Sequence, residues 1–231
     1  MTTSQLTLSI NLRDHATFTN YFVGDNKQLI ANLHTMANGR GDQYLYFWGK
    51  SGVGRTHLLH ACCHNASKRK LPNFYLSLKN INQLQPYILD GLETMHLVCI
   101  DDIQAIAGIH AWEEALLDLF NRLQDEKKRL LVVGDAAPQN LGMKLPDLSS
   151  RLLSGITLPI TELTDVEKIQ AVMMHAKNRG IILPINVAKF LWRRWPRDMH
   201  SLFNALDELD QASLQAKHKL TIPFVKSVLG I

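Results

Sequence analysis

Hydrophobic segments of two kinds alternate over the first two thirds of the chain. Short apolar and aromatic runs have the character of strands, and they predict strands at residues 44–48, 97–100, 130–133 and 156–160. The segments between them have apolar positions at helical spacing or no helix breaker, and they predict helices at residues 57–67, 112–128 and 145–153. Strands that alternate with helices favour a parallel sheet with helices on its faces, so the predicted fold class is α/β.

The pattern becomes helical throughout from Thr164 onward. Thr164 and Glu167 have the spacing of a capping box, and the helix that they open is expected to end at Gly180. Helices are also predicted at residues 186–195, at residues 197–217 and around Pro223, which lies in the first turn of a last short helix. A domain boundary is therefore expected near residues 161–165.

The loop at residues 49–56 carries the strongest chemical signal. It reads Gly-Lys-Ser-Gly-Val-Gly-Arg-Thr and lies between a predicted strand and a predicted helix, the order that a phosphate-binding loop requires. Its glycines let backbone N–H groups point at phosphate oxygens, and Thr56 offers a hydroxyl to a magnesium ion. Arg55 replaces the usual lysine, keeping the charge in a planar, longer side chain. The loop predicts nucleotide binding, and an ordinary strand-to-helix turn is the alternative.

Two carboxylates follow the apolar run at residues 97–100. Asp101 and Asp102 are expected at the carboxyl edge of the sheet, where Asp101 would hold the metal directly or through water and Asp102 would orient or polarise a water. The alternative is that both acids only cap the next turn. Asp135 follows the next predicted strand and is expected to lie near the phosphate end.

Composition excludes some classes of protein and leaves others open. The chain has 231 residues, 46% of them hydrophobic, and a formal net charge of +4, which is compatible with a nucleic-acid neighbourhood without demonstrating binding. No apolar run approaches the roughly 20 residues that cross a bilayer, and the first 14 residues lack a secretory pattern, so a cytoplasmic location without a membrane partner is expected. The three cysteines, Cys62, Cys63 and Cys99, do not form a disulfide framework.

Two further sites are weaker alternatives. Arg193, Arg194 and Trp195 could belong to a DNA-binding adaptor, which would bind duplex DNA with a steep dependence on salt. His60 and His64 could both reach one metal ion, although the helix after a phosphate loop usually packs on the sheet.

Several segments together resemble the AAA+ module of the bacterial initiator DnaA. They are the loop at 49–56, Ile-Asp-Asp-Ile-Gln at 100–104, the stretch at 17–26 and Leu-Ser-Ser-Arg-Leu at 148–152. The segments at 54–61 and 220–226 resemble DnaA-related regulators that turn the initiator off. Because the chain ends at Ile231, no room is expected for the initiator's C-terminal DNA-binding domain. The resemblance implies three parts, namely a clamp-binding segment at 1–14, an AAA+ nucleotide-binding base at 15–162 and a small helical lid domain at 163–231.

The N-terminal segment resembles the peptide by which partners bind the bacterial sliding clamp. Gln5 would anchor through its amide, and Leu6, Leu8 and Ile10 would supply apolar area. The same alternation also fits a plain edge strand.

The resemblance assigns a role to each remaining candidate residue. Asp101 and Asp102 match the metal and water pair, and Asp135 and Arg197 match the first and second phosphate sensors. Arg151 matches an arginine finger that acts on a neighbouring subunit's nucleotide, although on the residues alone it reads as a surface arginine near the end of a short helix. The nucleotide-binding positions are Tyr21, Phe22 and Asn26 near the adenine, and Ser51, Gly52, Val53, Gly54, Arg55, Thr56 and His57 at the phosphates and magnesium.

The implied function is negative regulation of replication initiation. Such a protein would bind ADP, or ATP, with Mg²⁺, and would bind the β subunit sliding clamp of DNA polymerase III, contacting DNA mainly through the clamp. It would then offer Arg151 to ATP on DnaA, so that hydrolysis occurs in the partner. A homodimer is a further expectation, and the alternative function is an autonomous AAA+ ATPase such as a helicase loader or remodeller.

Overall fold

The computed structural model of the chain describes residues 16–216 and 218–231. The predicted clamp-binding residues Gln5, Leu6, Leu8 and Ile10 lie outside these ranges. Within them, no helix is both long and apolar enough to cross a membrane. The chain divides into two compact units, and the first consists, in its described part, of residues 16–18, 28–49 and 55–160.

The first unit is built on a five-stranded parallel sheet. The strands are β1 Tyr44–Trp48, β2 Asn73–Ser77, β3 Leu97–Asp101, β4 Arg129–Gly134 and β5 Ile156–Pro159. Their order is β2-β3-β4-β1-β5, and every neighbouring pair is parallel. The central strands β3, β4 and β1 are continuous apolar runs because helices cover both faces of the sheet. The predicted α/β class is confirmed.

Four helices flank this sheet. They are α1 Lys27–Ala37, α2 Arg55–Lys68, α3 His110–Asp125 and α4 Pro146–Leu153. The sulfur of Cys63 on α2 lies 3.6 Å from the sulfur of Cys99 on β3, which places α2 against the sheet. On the other face, a core that includes Trp112, Leu116 and Leu148 packs α3 and α4 over strand side chains such as Ile100.

Some predicted boundaries in this unit were wrong. The third helix ends at Asp125 and not at Lys128, because Lys127 takes a left-handed conformation with φ of 52° and the chain then turns into β4. β5 ends at Pro159, one residue before its predicted end. Strand β2 was not predicted at all, since its edge position leaves it only partly buried and its sequence lacks a long apolar run.

The second unit consists of residues 19–27, 50–54 and 161–231 without residue 217. Its helices are α5 Asp165–Asn178, α6 Ile185–Arg194, α7 Met199–Ala216 and α8 Ile222–Leu229. A separate core holds them together and includes the fully buried side chains of Leu191, Leu206 and Val225. The predicted helical character of this region is confirmed.

The helix ends of this unit follow from capping. The predicted capping box of α5 is present, with Thr164 accepting from the Glu167 backbone and Glu167 accepting from the Thr164 backbone. Helix α7 begins at Met199 and not at Arg197, because the Asp198 carboxylate accepts the backbone N–H of Ser201 at 2.8 Å.

Candidate functional site

The phosphate-loop backbone needs glycine at two positions. Gly52 and Gly54 have φ of +85° and +99°, which disfavour residues with a side chain. A Cβ at Gly54 would also lie 2.7 Å from the ring of Tyr21, whose hydroxyl donates to the carbonyl of Val53 at 3.3 Å. The loop leads into α2, which begins at Arg55 and whose free N–H groups favour a bound anion.

Asp101 lies at the carboxyl end of β3 with its carboxylate occupied by three donors. One oxygen, Oδ2, accepts the Thr56 hydroxyl at 2.7 Å and the Tyr75 hydroxyl at 3.0 Å. The other, Oδ1, accepts the backbone N–H of Asp102 at 2.9 Å. Burial raises the pKa of Asp101, although the hydrogen bonds from Thr56 and Tyr75 act in the opposite direction. The predicted partners Thr56 and Asp101 are therefore in direct contact.

Asp102 is held by side chains from three elements. Its Oδ1 lies 3.5 Å from Nη2 of Arg55 and accepts the Gln104 amide at 3.1 Å, while its Oδ2 accepts the Ser77 hydroxyl at 3.4 Å. The backbone of Asp102 is left-handed, with φ of 58° and ψ of 44°. Such a conformation is uncommon outside glycine and is enriched at functional sites.

Arg55 is the most enclosed cation of the site. Its side chain is 12% exposed, and its Nη1 is buried without a hydrogen-bond partner among the residues that the structure describes. A buried donor without a partner is costly, so this nitrogen is suited to a bound acceptor.

Asp135 directly follows β4, which pairs in parallel with β3. Because parallel strands end at the same edge of a sheet, Asp135 lies at the same edge as Asp101. The side chain is exposed. Burial raises the pKa of the nearby Tyr46, and the negative charge of Asp135 raises it further. Its role as a phosphate sensor stays a prediction.

Three residues of this cluster were missed by sequence reasoning. Tyr75 and Ser77 come from the unpredicted strand β2, and Gln104 comes from the turn after Asp102. The available signal was the alternation in Asn-Phe-Tyr-Leu-Ser at Asn73–Ser77, where Phe74 and Leu76 face one side and the polar residues the other. Parallel pairing of β2 with β3 sets Ser77 opposite Asp101.

The candidate residues of the second unit are held by local contacts. Tyr21 is largely buried, and burial raises its pKa to about 12. The Asn26 amide binds the backbone of Thr161 in both directions, at 3.0 and 2.7 Å, which ties residues 19–27 to the start of the helical region. Arg197 is exposed, with its guanidinium carbon 5.6 Å from the ring centre of Trp192. Phe22 and Val53 are half-buried, and Ser51 is exposed.

His57 belongs to the first unit and has a partner other than a phosphate. Its Nε2 lies 2.9 Å from the carbonyl oxygen of Thr17. This contact connects α2 to the segment before the first helix. Its predicted role at the nucleotide stays a prediction.

Arg151 lies on α4 and contacts two neutral side chains of α3. Its guanidinium carbon is 5.7 Å from the ring centre of Phe120, and its Nη1 donates to Oε1 of Gln124 at 3.2 Å. The side chain is half-buried, and among the described residues no carboxylate forms an ion pair with it. Its charge is therefore not neutralised by a neighbouring acid.

Glu113 positions the helix that carries Arg151. This carboxylate has no exposed area and accepts backbone N–H groups from Gly108, Lys144 and Leu145 at 2.7 to 3.0 Å. Burial alone would raise the pKa of Glu113, but the three backbone donors outweigh burial and hold it below its usual range. The loop before α4 is thus fixed to the first turn of α3.

Of the two weaker alternatives, the metal site receives little support, and the DNA-binding site stays a prediction. His60 is buried and packs on Tyr75 with ring centres 4.4 Å apart, and no group of three or more potential metal ligands comes together within the described ranges. Arg193 and Arg194 are exposed at the end of α6, and Trp195 donates its ring N–H to the Ser201 carbonyl at 3.0 Å.

The parallel sheet, the glycine loop before α2, the acid pair after β3 and the helical second unit define an AAA+ protein. The family described as the bacterial DnaA ATPase domain matches residues 12–159. The chain belongs to this family. The family described as the Hda lid domain matches residues 165–229, within the second unit.

Solved structures show the same fold. Domain III of the replication initiation protein DnaA from Thermotoga maritima has a TM-score of 0.79 at 21% identity, covering 94% of this chain and 96% of that chain. AMPPCP-bound DnaA from Aquifex aeolicus has a TM-score of 0.75 at 22% identity, covering 89% and 68%. The RuvB Holliday junction branch migration motor of Thermotoga maritima has a TM-score of 0.66 at 17% identity, covering 90% and 68%. At these identities the likeness establishes the fold alone.

Proposed function

We propose that the chain is a DnaA-related regulator that binds ADP with Mg²⁺ and promotes hydrolysis of ATP bound on the initiator DnaA. The observation that carries this proposal is Arg151, a cation with neutral partners on a helix held by a buried carboxylate. Membership of the DnaA ATPase-domain family and the match to the Hda lid domain support it.

The residues of the first unit fit a magnesium nucleotide. The Thr56 hydroxyl and the Asp101 carboxylate are the oxygen ligands that Mg²⁺ prefers, and they lie 2.7 Å apart. The buried, unpartnered Nη1 of Arg55 suits a phosphate oxygen. When bound, the metal would neutralise phosphate charge. The roles of Tyr21, Phe22, Asn26, residues 50–54 and Arg197 toward the nucleotide are proposed from the resemblance to DnaA. A DnaA structure bound to AMPPCP offers a precedent for nucleotide binding in this family.

In this proposal Arg151 acts on the partner's nucleotide. A guanidinium supplied in trans stabilises the charge that develops on the transferred phosphoryl group, which in other nucleotide hydrolases increases the rate by about 10³ to 10⁵. Phe120 and Gln124 would restrict the rotamers of Arg151 before the partner arrives, which lowers the entropic cost of association. Hydrolysis would then belong to the partner's active site.

Binding to the clamp would restrict this activity to finished DNA synthesis. The β subunit of the clamp would be bound by Gln5, Leu6, Leu8 and Ile10. DNA would be contacted mainly through the clamp. The rest of the chain would form the AAA+ base and the helical lid domain. Tethering on the clamp raises the effective concentration of Arg151 near DnaA. A cytoplasmic location and a possible homodimer belong to the same proposal.

The test is the turnover of DnaA-bound ATP in the presence of the clamp on DNA. We expect Arg151→Ala to abolish the stimulation and Arg151→Lys to restore little of it, because lysine lacks the planar fork of donors. Arg40→Ala removes an exposed arginine of the same unit and should leave stimulation intact. Gln5→Ala should weaken the stimulation that depends on the clamp, because this change removes the proposed clamp anchor. Full stimulation by Arg151→Ala would refute the proposal.

A second candidate function is an autonomous AAA+ ATPase. The observation that favours it is the complete cluster of Thr56, Asp101 and Asp102 in one place. Brisk ATP turnover by the purified chain without DnaA, lost in Asp102→Asn, would favour this function over the first.

A further inference from the structure

Arg55 and Asp102 form an ion pair, although each occupies a position with its own role toward a bound nucleotide. Arg55 stands at the loop position from which a cation contacts nucleotide phosphates, and Asp102 stands where a carboxylate would polarise the attacking water. Their side chains are only 12% and 18% exposed. Both charges are thus largely removed from water, and the attraction between them offsets part of the cost of burial.

The acceptor capacity of Asp102 is already largely used. A carboxylate offers about four lone-pair sites, and here Arg55, Gln104 and Ser77 contact its two oxygens. The left-handed backbone of Asp102 and the contacts from β2 and the following turn fix the direction in which the side chain leaves the strand. Both Arg55 and Gln104 contact Oδ1, so a water molecule that needed Oδ1 would have to compete with Arg55.

Arg55 has donors for both roles at once. Its Nη2 faces Asp102, while its Nη1 is buried and has no acceptor within the described part of the chain. A guanidinium can bind two acceptors through different nitrogens in a fixed geometry. A lysine ammonium has a single nitrogen at the end of a flexible stem. On binding a phosphate it would therefore release the carboxylate.

We propose that Arg55 binds a nucleotide phosphate through Nη1 while holding Asp102 through Nη2, so that this chain retains the nucleotide it captures and does not hydrolyse it. Hydrolysis would form a bond from a water oxygen to the terminal phosphorus, break the bond from that phosphorus to the oxygen kept by ADP, and release one proton of the water to solvent. Arg55 withholds the carboxylate that would accept a hydrogen bond from that water. This inference rests on the nucleotide site of the proposed function and does not involve Arg151 or the partner.

The first measurement is ADP affinity of the purified chain in a double-mutant cycle. In the Arg55→Lys background, Asp102→Asn only relieves charge repulsion on the phosphates, so it should tighten ADP binding. In the Arg55 background the same change also removes the carboxylate that orients the guanidinium, so we expect the gain in ADP affinity to be about fivefold smaller. Equal effects in the two backgrounds would overturn the inference.

The second measurement is ATP turnover by the chain alone. Arg55→Lys should raise turnover at least about tenfold, and the double variant with Asp102→Asn should return to the original rate, since the gain needs the released carboxylate. Turnover of Arg55→Lys as slow as that of the unaltered chain would overturn the inference.

Two controls distinguish a failure of this inference from a failure of the proposed function. Asp118→Asn removes an exposed carboxylate on α3 and should change neither quantity. If the unaltered chain bound no ADP, the nucleotide site of the proposed function would itself be refuted. If ADP bound normally and only the coupling between Arg55 and Asp102 were absent, the proposed function would stand and this inference would fall.

Discussion

Tyr75 shows how much one residue contributes to the candidate metal site. Its hydroxyl donates to the same Asp101 oxygen that accepts from Thr56, so two hydroxyl groups orient one buried carboxylate. Burial, and then the negative charge of Asp101, raise the pKa of Tyr75, so the hydroxyl keeps its proton near neutral pH. If Thr56 turned to a metal ion, Tyr75 would remain as the donor that holds Asp101.

Tyr75→Phe tests this role. The change removes one hydrogen bond to a buried carboxylate, so we expect the free energy of unfolding to fall by about 1–2 kcal/mol and ADP binding to require a higher Mg²⁺ concentration. Urea denaturation and ADP titrations over a Mg²⁺ series would measure both effects. Tyr87→Phe, at a tyrosine that is 66% exposed, is the control. If the Mg²⁺ dependence of ADP binding were unchanged in Tyr75→Phe, the proposed role of Tyr75 in the metal site would be refuted.

At the scale of elements, the carboxylate of Glu113 connects two helices. The folded pKa of Glu113 lies below its unfolded value, because three backbone donors favour the ionised form over the penalty of burial. A carboxyl group of this kind contributes stability above its unfolded pKa, and the contribution is lost as pH falls through the folded pKa. The position of α4, and of Arg151 on it, depends on this contact.

Glu113→Gln should lower the free energy of unfolding at pH 7 by about 1–3 kcal/mol, because an amide replaces a charged acceptor of backbone N–H groups. The difference from the unaltered chain should shrink as pH falls below about 4, where the carboxylate of the unaltered chain also becomes neutral. Denaturant unfolding at a series of pH values measures this. Glu114→Gln is the neighbouring control, since Glu114 is exposed and pairs with His110 on the surface. An equal loss in both variants would contradict the prediction.

At the scale of the whole molecule, bound nucleotide should stabilise the fold. ADP at about 100 times its Kd would add about 2.7 kcal/mol, which for a chain of this size corresponds to an increase in Tm of about 5–10 °C. Thermal unfolding with and without ADP measures the shift. Arg151→Ala should show the same shift, because Arg151 is proposed to act on the partner's nucleotide. No shift at millimolar ADP would contradict nucleotide binding.

Local patterns were sufficient where neighbours in sequence supply the whole signal. The bounds of β1 and the capping box at Thr164 were predicted correctly, because a buried strand and a helix N-terminus are set by adjacent side chains. Prediction failed at β2 and at the start of α7. An edge strand is stabilised by pairing with a distant segment, and the choice of Asp198 as the cap depends on how the helix packs.

The sequence by itself determined the alternation of strands and helices, the glycine loop with its arginine, and the acids that follow two of the strands, because these features depend on residue type and spacing along the chain. Only the tertiary structure decided that Tyr75 and Ser77 join Asp101 and Asp102, that Arg55 pairs with Asp102, and that Arg151 has neutral partners. Parallel pairing of β2 with β3 and the packing of α4 on α3 bring together side chains that are far apart in sequence, and no local pattern encodes those distances.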